Sequence, residues 1–472
     1  MDSRTLKKYV EKQFSLNVLP NLMNFIRIPN LSPGFDPEWN TNGLLLKAAN
    51  LIASFAKSLN IKNSEVTLLQ DSPYTPLVFI DIPATRLNDK RTVLFYGHYD
   101  KQPHGTGWDK DKSPTNPVVE NGHIYGRGAA DDGYASFSIL TAIKTCQEFN
   151  CHLPRICCIF EGAEESNDLH IRYYFNKLLP VLGQNVIAFI PLDSGCSDYN
   201  RIWITNSLRG FCEFDIKIKT LEDESHYGPE GSGVIAENLF LLRKIYDGLI
   251  DSTNGEFKLE EFKVAQIPEI IEEQMQKEIE VVGDSFIKDI PLYEGVSPLK
   301  TDVRELMLNN RWKPSFNILG IDKCPKKEER GFSLFPEIKF RGSIRVPPLI
   351  EQDKAIEALK KAVSDNTYFG AQISIENIDF GDGVILANIS NRTKNILNKA
   401  SLEFFGNEII FSGGGGSIPF ISYFKSLYPN ADVLCTGVVG ADSNEHGPNE
   451  NLNIEACKKI ICVLNIIIFF KI

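Results

Sequence analysis

Three short stretches of the chain are almost wholly apolar: TVLFY at residues 92–96, RICCIF at 155–160 and VIAFIPL at 186–192. Runs of this length, bounded by polar or turn-forming residues, fit strands buried on both faces. Between the first two lies residues 134–149, where Phe137, Leu140 and Ile143 recur at helical spacing. ADVLCTGVV, at 431–439, predicts a fourth buried strand far downstream. This alternation of strand and helix predicts an α/β domain built on a mostly parallel sheet.

The middle of the chain has a different period. In residues 211–219, Phe214, Ile216 and Ile218 fall on one face, opposite Asp215, Lys217 and Lys219. Residues 337–346 repeat the pattern, with Ile338, Phe340, Ile344 and Val346 opposite Lys339, Arg341, Ser343 and Arg345. Such alternation marks a half-exposed antiparallel sheet. With helices expected over 232–250 and 353–363, and strands near 315–319 and 372–378, the order is β-α-β-β-α-β, that of a ferredoxin-like α+β sandwich. The reading is an α/β domain of residues 1–209 and 382–472 interrupted by an inserted domain of residues 210–381. Residues 256–308, acidic and poor in strand signals, are expected to form a helical excursion within the insert.

At 472 residues the chain is long enough for such a two-domain plan. A formal net charge of −11, with no basic cluster, excludes the electrostatic footprint of a nucleic-acid binder and points to small-molecule partners. The ten cysteines form no C-x-x-C pair, which removes a zinc ribbon and a disulfide framework and suggests reduced thiols. The N-terminal MDSRTLKKYVEKQF has no apolar signal-peptide core, so a cytoplasmic location is expected. The apolar run at 460–470, interrupted by Asn465, is far short of the roughly 20 residues of a membrane span and is expected to pack on the core.

Ligands bind α/β sheets beyond the carboxyl ends of their strands, and each apolar run here leads into metal-type donors. TVLFY leads to His98 and Asp100, RICCIF to Glu161, Glu164 and Glu165, and VIAFIPL to Asp193; the fourth run leads to His446 and Glu450. GRGAADDG, at 126–133, sets Asp131 and Asp132 before a helix. Taken singly these are ordinary features: a capping His-x-Asp, a solvated Glu pair, an acidic helix N-terminus. Together they supply the mixed nitrogen and oxygen donors that zinc accepts.

The strings FYGHYDKQP, YGRGAADDG, EGAEES, LDSGCSDYNRIWITNSLRG, HYGPEGSG, GSIRVPP, GGSIP and HGPNE, in this order from His98 to Glu450, resemble the cytosolic dipeptidase and carnosine dipeptidase branch of the di-zinc metallopeptidases. Glutamate carboxypeptidase and aminoacylase are further relatives of that family. The resemblance implies a hydrolase that cleaves dipeptides or short peptides with two zinc ions per chain, manganese being the alternative metal. It implies that Asp131 bridges the metals, that His98 and Asp193 complete one site, and that Glu165 and His446 complete the other. Glu164 would be the general base, and Asp100 would fix the His98 tautomer. Adjacent acids on a strand would point to opposite sides, so a turn is expected at Glu164 and Glu165.

The same resemblance makes His226 a lid residue that stabilises the oxyanion, and Arg345 the anchor of the substrate's C-terminal carboxylate. Without it, each would read as an ordinary surface residue. Gly415, Gly416 and Ser417 would offer backbone N–H groups to an anionic substrate. Gly413 and Gly414 stand where relatives usually carry Arg-Glu. Family members commonly form homodimers through the insert, which is the expected lid and dimerisation domain. An N-acyl-amino-acid hydrolase or carboxypeptidase would use the same metals and base, and a catalytically silent scaffold protein is the reading from another class.

Overall fold

The computed structural model describes all residues except 1, 289, 291, 325, 327, 329–330, 365–367, 441 and 471–472, together with the side chains of 469–470. It divides into two compact units: one of Met1–Thr205, Leu386–Ser412 and Tyr423–Ile472, the other of Asn206–Ile385 and Gly413–Ser422.

The first unit begins with helices α1 (Ser3–Gln13), α2 (Leu19–Ile26) and α3 (Leu44–Ser58). Asp2 caps α1 by accepting from the Thr5 N–H. Five strands follow: β1 (Glu65–Leu69), β2 (Leu77–Ile82), β3 (Thr92–His98), β4 (Arg155–Glu161) and β5 (Val186–Pro191). Helices α4 (Tyr134–Glu148) and α5 (Leu169–Leu182) connect β3 to β4 and β4 to β5.

The sheet order is β1-β2-β4-β3-β5, ending on the two-residue strand Asp432–Val433. The pairings β3–β4, β3–β5 and β5 with Asp432–Val433 are parallel, whereas β1–β2 and β2–β4 are antiparallel. The sheet is therefore mixed, not mostly parallel as expected. Its central strands are still buried, β3 throughout and β4 at every residue after Arg155; that is why they read as apolar runs.

Two further expectations need correction. ADVLCTGVV is not one strand: Leu434 and Thr436 still donate to Phe189 and Pro191 carbonyls, but the run then leaves β5, and only Asp432–Val433 joins this sheet. The helix expected from residue 232 starts at Asn238, after Gly233 adopts a φ of +77° that an ordinary residue would resist. The apolar run at the end of the chain lies in a helix, Ile454–Phe470, which packs against α4. Among the described residues, no helix is long and apolar enough to cross a membrane. All ten cysteines are free.

The second unit holds β6 (Gly210–Lys219), helices α6 (Asn238–Leu249), α7 (Glu269–Val282) and α8 (Val303–Arg311), then β7 (Ser315–Asp322), β8 (Glu337–Val346), α9 (Gln352–Ser364) and β9 (Gln372–Gly381). Its strands form an antiparallel sheet in the order β7-β8-β6-β9. Phe214, Ile216 and Ile218 of β6 and Ile338, Phe340 and Ile344 of β8 share a core with Leu241, Ile245, Ala355 and Leu359 of α6 and α9. This is the one-sided burial that period-two alternation requires.

Packing around α4 sets the stability of the first unit. Phe137 is fully buried and meets Phe25 and Phe55 edge to face, at centroid distances of 6.3 and 5.0 Å. Phe137→Ala is expected to cost about 3–5 kcal/mol in a denaturant titration, as buried Phe truncations do.

Candidate metal centre

The strand ends of the first unit deliver the acidic and imidazole groups to one place. His98 is the last residue of β3, and its backbone pairs in register with Glu161 at the end of β4. Beyond β4 the chain turns through Glu164 and Glu165, the turn expected at this acid pair. Asp193 lies just past β5, and Asp131 lies in the loop that precedes α4.

Two donor sets result: His98, Asp131 and Asp193 in one, and Asp131, Glu165 and His446 in the other, the ligand atoms of each lying within 4.8 Å of one another. Asp131 belongs to both. Its Oδ1 is 3.0 Å from His98 Nε2 and its Oδ2 is 2.9 Å from His446 Nε2, so its two oxygens face opposite histidines. Asp193 Oδ2 approaches His98 Nε2 to 3.9 Å, and Glu165 Oε2 approaches His446 Nε2 to 3.3 Å.

The electrostatics follow from crowding. Burial raises the Asp193 and Glu165 carboxyls, and the Asp131 charge raises both further, against the opposing pull of the histidines. Glu164 is also raised, first by desolvation and then by Asp193. Desolvation works against charge on Asp131 and on both imidazoles. Interactions with neighbours overcome it: His446 and His98 hold Asp131 below the usual carboxylate range, while Asp100 and Asp131 hold His98, and Asp131 and Glu165 hold His446, above the usual imidazole range.

Asp100 does more than the sequence suggested. Its Oδ1 lies 3.4 Å from His98 Nδ1, longer than a well-formed hydrogen bond. The same carboxylate accepts from the Glu164 N–H at 3.2 Å and the Glu165 N–H at 3.1 Å, tying the acidic turn to the end of β3.

The sequence marks Glu450 and Asp132 as candidate acids but not as supports, and it leaves Arg127 and Lys101 without a role. Glu450, fully buried, accepts from Arg127 Nη1 (2.8 Å) and from the backbone N–H groups of Gly128 (3.0 Å), Ala130 (3.1 Å) and Asp131 (3.3 Å). Asp132 Oδ2 accepts from the His98 N–H at 3.2 Å. Lys101 is buried, and its ammonium donates to the carbonyls of Phe25, Ile26 and Ile28 while its stem lies against Gly128. Burial pulls its pKa down to about 7, against the Glu450 charge. Glu450 follows the fourth apolar run and is read there as a donor, while its bracing contacts leave no mark on the sequence; a lysine buried among carbonyls has no local signature either.

The remaining sequence candidates lie in the second unit. His226 is exposed on a two-residue strand, Ser225–His226; its Nδ1 accepts from the Gly228 N–H at 3.1 Å, and its ring stacks on Tyr227. Arg345 donates to Ser417 Oγ at 3.2 Å. A side chain on Gly413 would meet Arg311 at 2.8 Å, and one on Gly415 would meet Asn310 at 2.7 Å, so α8 occupies the space beside both glycines; Gly416 faces open space. Arg311 is itself buried and held bidentately by Glu278 of α7, at 2.5 and 2.8 Å.

The profile of Peptidase family M20/M25/M40 matches residues 94–468. The chain belongs to that metallopeptidase family. It is 25% identical over 473 residues to the Cys-Gly metallodipeptidase DUG1 of Candida albicans, covering 94% of this chain and 93% of that protein. It is 23% identical over 420 residues to the Beta-Ala-His dipeptidase of Mus musculus, covering 86% and 82%. The fold matches human carnosine dipeptidase 1 with a TM-score of 0.80 at 20% identity, over 99% of this chain and 98% of that one. It also matches a Bacillus subtilis protein described as a dinuclear metal binding peptidase, with a TM-score of 0.59 at 13% identity, over 98% and 100%.

The Glu450 cradle yields a stability prediction. Glu450→Ala leaves Arg127 buried without its partner and is expected to cost about 3–5 kcal/mol, measured by denaturant unfolding. The double change Arg127→Met with Glu450→Gln removes both charges and is expected to cost less than Glu450→Ala alone.

Proposed function

We propose that this M20 family member hydrolyses the peptide bond of dipeptides or short peptides with two metal ions, zinc by preference and manganese as the alternative. One observation carries the reading: the Asp131 carboxylate stands between two histidine-and-carboxylate sets and offers one oxygen to each. The donors fit the group. Two imidazole nitrogens with three carboxylates form the borderline set that zinc accepts, and their mutual repulsion is what divalent cations relieve.

In this reading His98 and Asp193 would hold one ion, Glu165 and His446 the other, and Asp131 both. Bound there, the ions would lower the pKa of a water and polarise the scissile carbonyl. Glu164 is the general base: its carboxylate takes the proton of the attacking water and returns it to the departing amine. Asp100 accepts from the Glu164 and Glu165 N–H groups and lies 3.4 Å from His98 Nδ1, so one side chain ties the turn of the base down beside a ligand. Tyr134 and Asp132 hold their own strand ends, the hydroxyl donating to Leu192 O at 2.5 Å and the carboxylate accepting from the His98 N–H.

The partition into 1–209, 210–381 and 382–472 makes the middle segment a ferredoxin-like lid and dimerisation domain, supported by the antiparallel order β7-β8-β6-β9. His226 would donate to the oxyanion. Arg345, with Ser417 and the N–H groups of Gly415 and Gly416, would bind the substrate's C-terminal carboxylate. The substrate class follows the relatives named Cys-Gly and Beta-Ala-His dipeptidases, and a cytoplasmic location is part of the same reading.

The test begins with metal analysis of purified protein and a panel of free dipeptides against N-acetylated amino acids; preference for the latter would replace this reading with an N-acyl-amino-acid hydrolase. Absence of both metal and turnover would leave a silent binding protein. Asp131→Ala is expected to lose both metals, and two metals per chain surviving that change would overturn the ligand assignment.

Glu164→Gln is expected to keep both metals yet lose the roughly 10²- to 10⁴-fold contribution of general acid–base catalysis. Glu165→Gln should lose metal instead, and exchanged phenotypes would reverse the two roles. For the lid, His226→Ala is expected to lower kcat about 10²- to 10³-fold with metal content intact. If a homodimer shares the residue, mixing His226→Ala with Glu164→Gln subunits restores part of the activity; no recovery in verified mixed dimers confines His226 to its own subunit.

A further inference from the structure

Arg209 stands immediately before β6 and is only 6% exposed. Its Nε donates to the Gly415 carbonyl at 2.9 Å. Its Nη1 is shared among the carbonyls of Asn309 (3.4 Å) and Lys313 (3.3 Å) and the hydroxyl of Ser315 (3.1 Å). All four acceptors are neutral. Nη2 has no acceptor among the described residues and is not sealed from solvent, unlike the orphaned Nε atoms of Arg127 and Arg311.

Arg345 meets the same short segment from the neighbouring strands. In register it faces Phe211 on β6, two residues beyond Arg209, and Ser315 on β7, the residue to which Arg209 donates. Its Nη1 donates to Ser417, two residues beyond the Gly415 carbonyl held by Arg209. Thus two guanidinium groups converge on residues 415–417, and every hydrogen bond that either makes there ends on a neutral acceptor. Burial lowers the Arg209 pKa to about 10, with the Arg345 charge adding to the shift, so Arg209 remains cationic at neutral pH.

Other arginines of this unit contrast with them. Arg311 is neutralised by Glu278, and Arg341 by Glu213 and Asp215. A buried cation without a carboxylate is costly, and an anion held by charge-assisted hydrogen bonds offsets that cost.

We propose that Arg209 is the second cation of an anion subsite and a determinant of specificity: its Nη2 and the Arg345 guanidinium take the same free carboxylate of the substrate. This rests on the dipeptidase reading and on Arg345 as an anchor, and adds a residue to it. The class selected is a peptide with an unblocked C-terminal carboxylate, held by two arginines and Ser417. Gly413 and Gly415 contribute by leaving room for Arg311 and Asn310, so the turn that carries Ser417 is braced by α8 and not by its own side chains.

The experiment compares hydrolysis of Ala-Gly with that of its C-terminal amide by the wild type, Arg209→Met, Arg345→Ala and the double variant. Arg209→Met is expected to raise KM for Ala-Gly about tenfold or more, the worth of a charged hydrogen bond, while kcat and the amide's KM change little. Because both arginines would serve one carboxylate, the double variant should lose less than the product of the two single losses. Equal losses on acid and amide, or multiplicative losses, would make Arg209 a structural brace and overturn the proposal.

Glycine and glycinamide binding, followed by calorimetry on the wild type and on Arg209→Lys, requires neither turnover nor the Met variant to fold. Selective binding of glycine that weakens in Arg209→Lys supports the subsite. Equal binding of the two compounds by the wild type overturns it. A wild type that binds glycine selectively yet cleaves no peptide would defeat the dipeptidase reading and leave the subsite standing.

Discussion

A buried carboxylate organises the first unit. Glu450 receives one guanidinium hydrogen bond and three backbone N–H groups from consecutive or nearly consecutive residues, and the last of those belongs to Asp131. A loop of small residues, GRGAAD, has little side-chain mass with which to hold a shape, and Gly128 takes a φ of +79°. The shape is therefore imposed from outside, by an acid more than three hundred residues away in the chain. Because Asp131 must face two histidines at once, the precision of the whole donor set depends on that remote anchor.

A second layer of support links the strand ends to one another. Asp100 joins β3 to the turn of Glu164 and Glu165, Asp132 returns to the His98 backbone, and Lys101 fastens the segment after β3 to the end of α2. Most of these bonds run between a side chain and the backbone. They fix where a donor starts, leaving its own side chain free to meet a ligand.

Much of the site could be read from the sequence, because the donors follow apolar runs and lie at strand ends by the logic of an α/β sheet. His98, Glu164, Glu165 and Asp193 were found this way, and the turn at the Glu pair followed from strand geometry. The mixed sheet was less visible: β2 runs against its neighbours β1 and β4 at one edge, and direction leaves no mark on composition. ADVLCTGVV failed as a strand for a tertiary reason. A side chain on Gly437 would meet the Ser194 carbonyl at 2.3 Å, so the backbone of residues 192–194 leaves room there only for glycine. The space beside Gly413 was likewise invisible, since Arg311, which fills it, lies about a hundred residues earlier.

The distribution of thiols has a practical meaning. Eight of the ten cysteines are buried, Cys196 is half-buried, and Cys324 is exposed in the second unit. Burial also raises most of the buried thiols, Cys157, Cys435 and Cys457 to about 12; Cys151, lowered to about 7 by its hydrogen bond with Cys146, is the exception but is itself buried, so little accessible thiolate exists while the fold is closed. A maleimide dye would therefore mark Cys324 first, giving an optical handle on the second unit, while slow labelling of the seven buried cysteines other than Cys212 would clock the opening of the first.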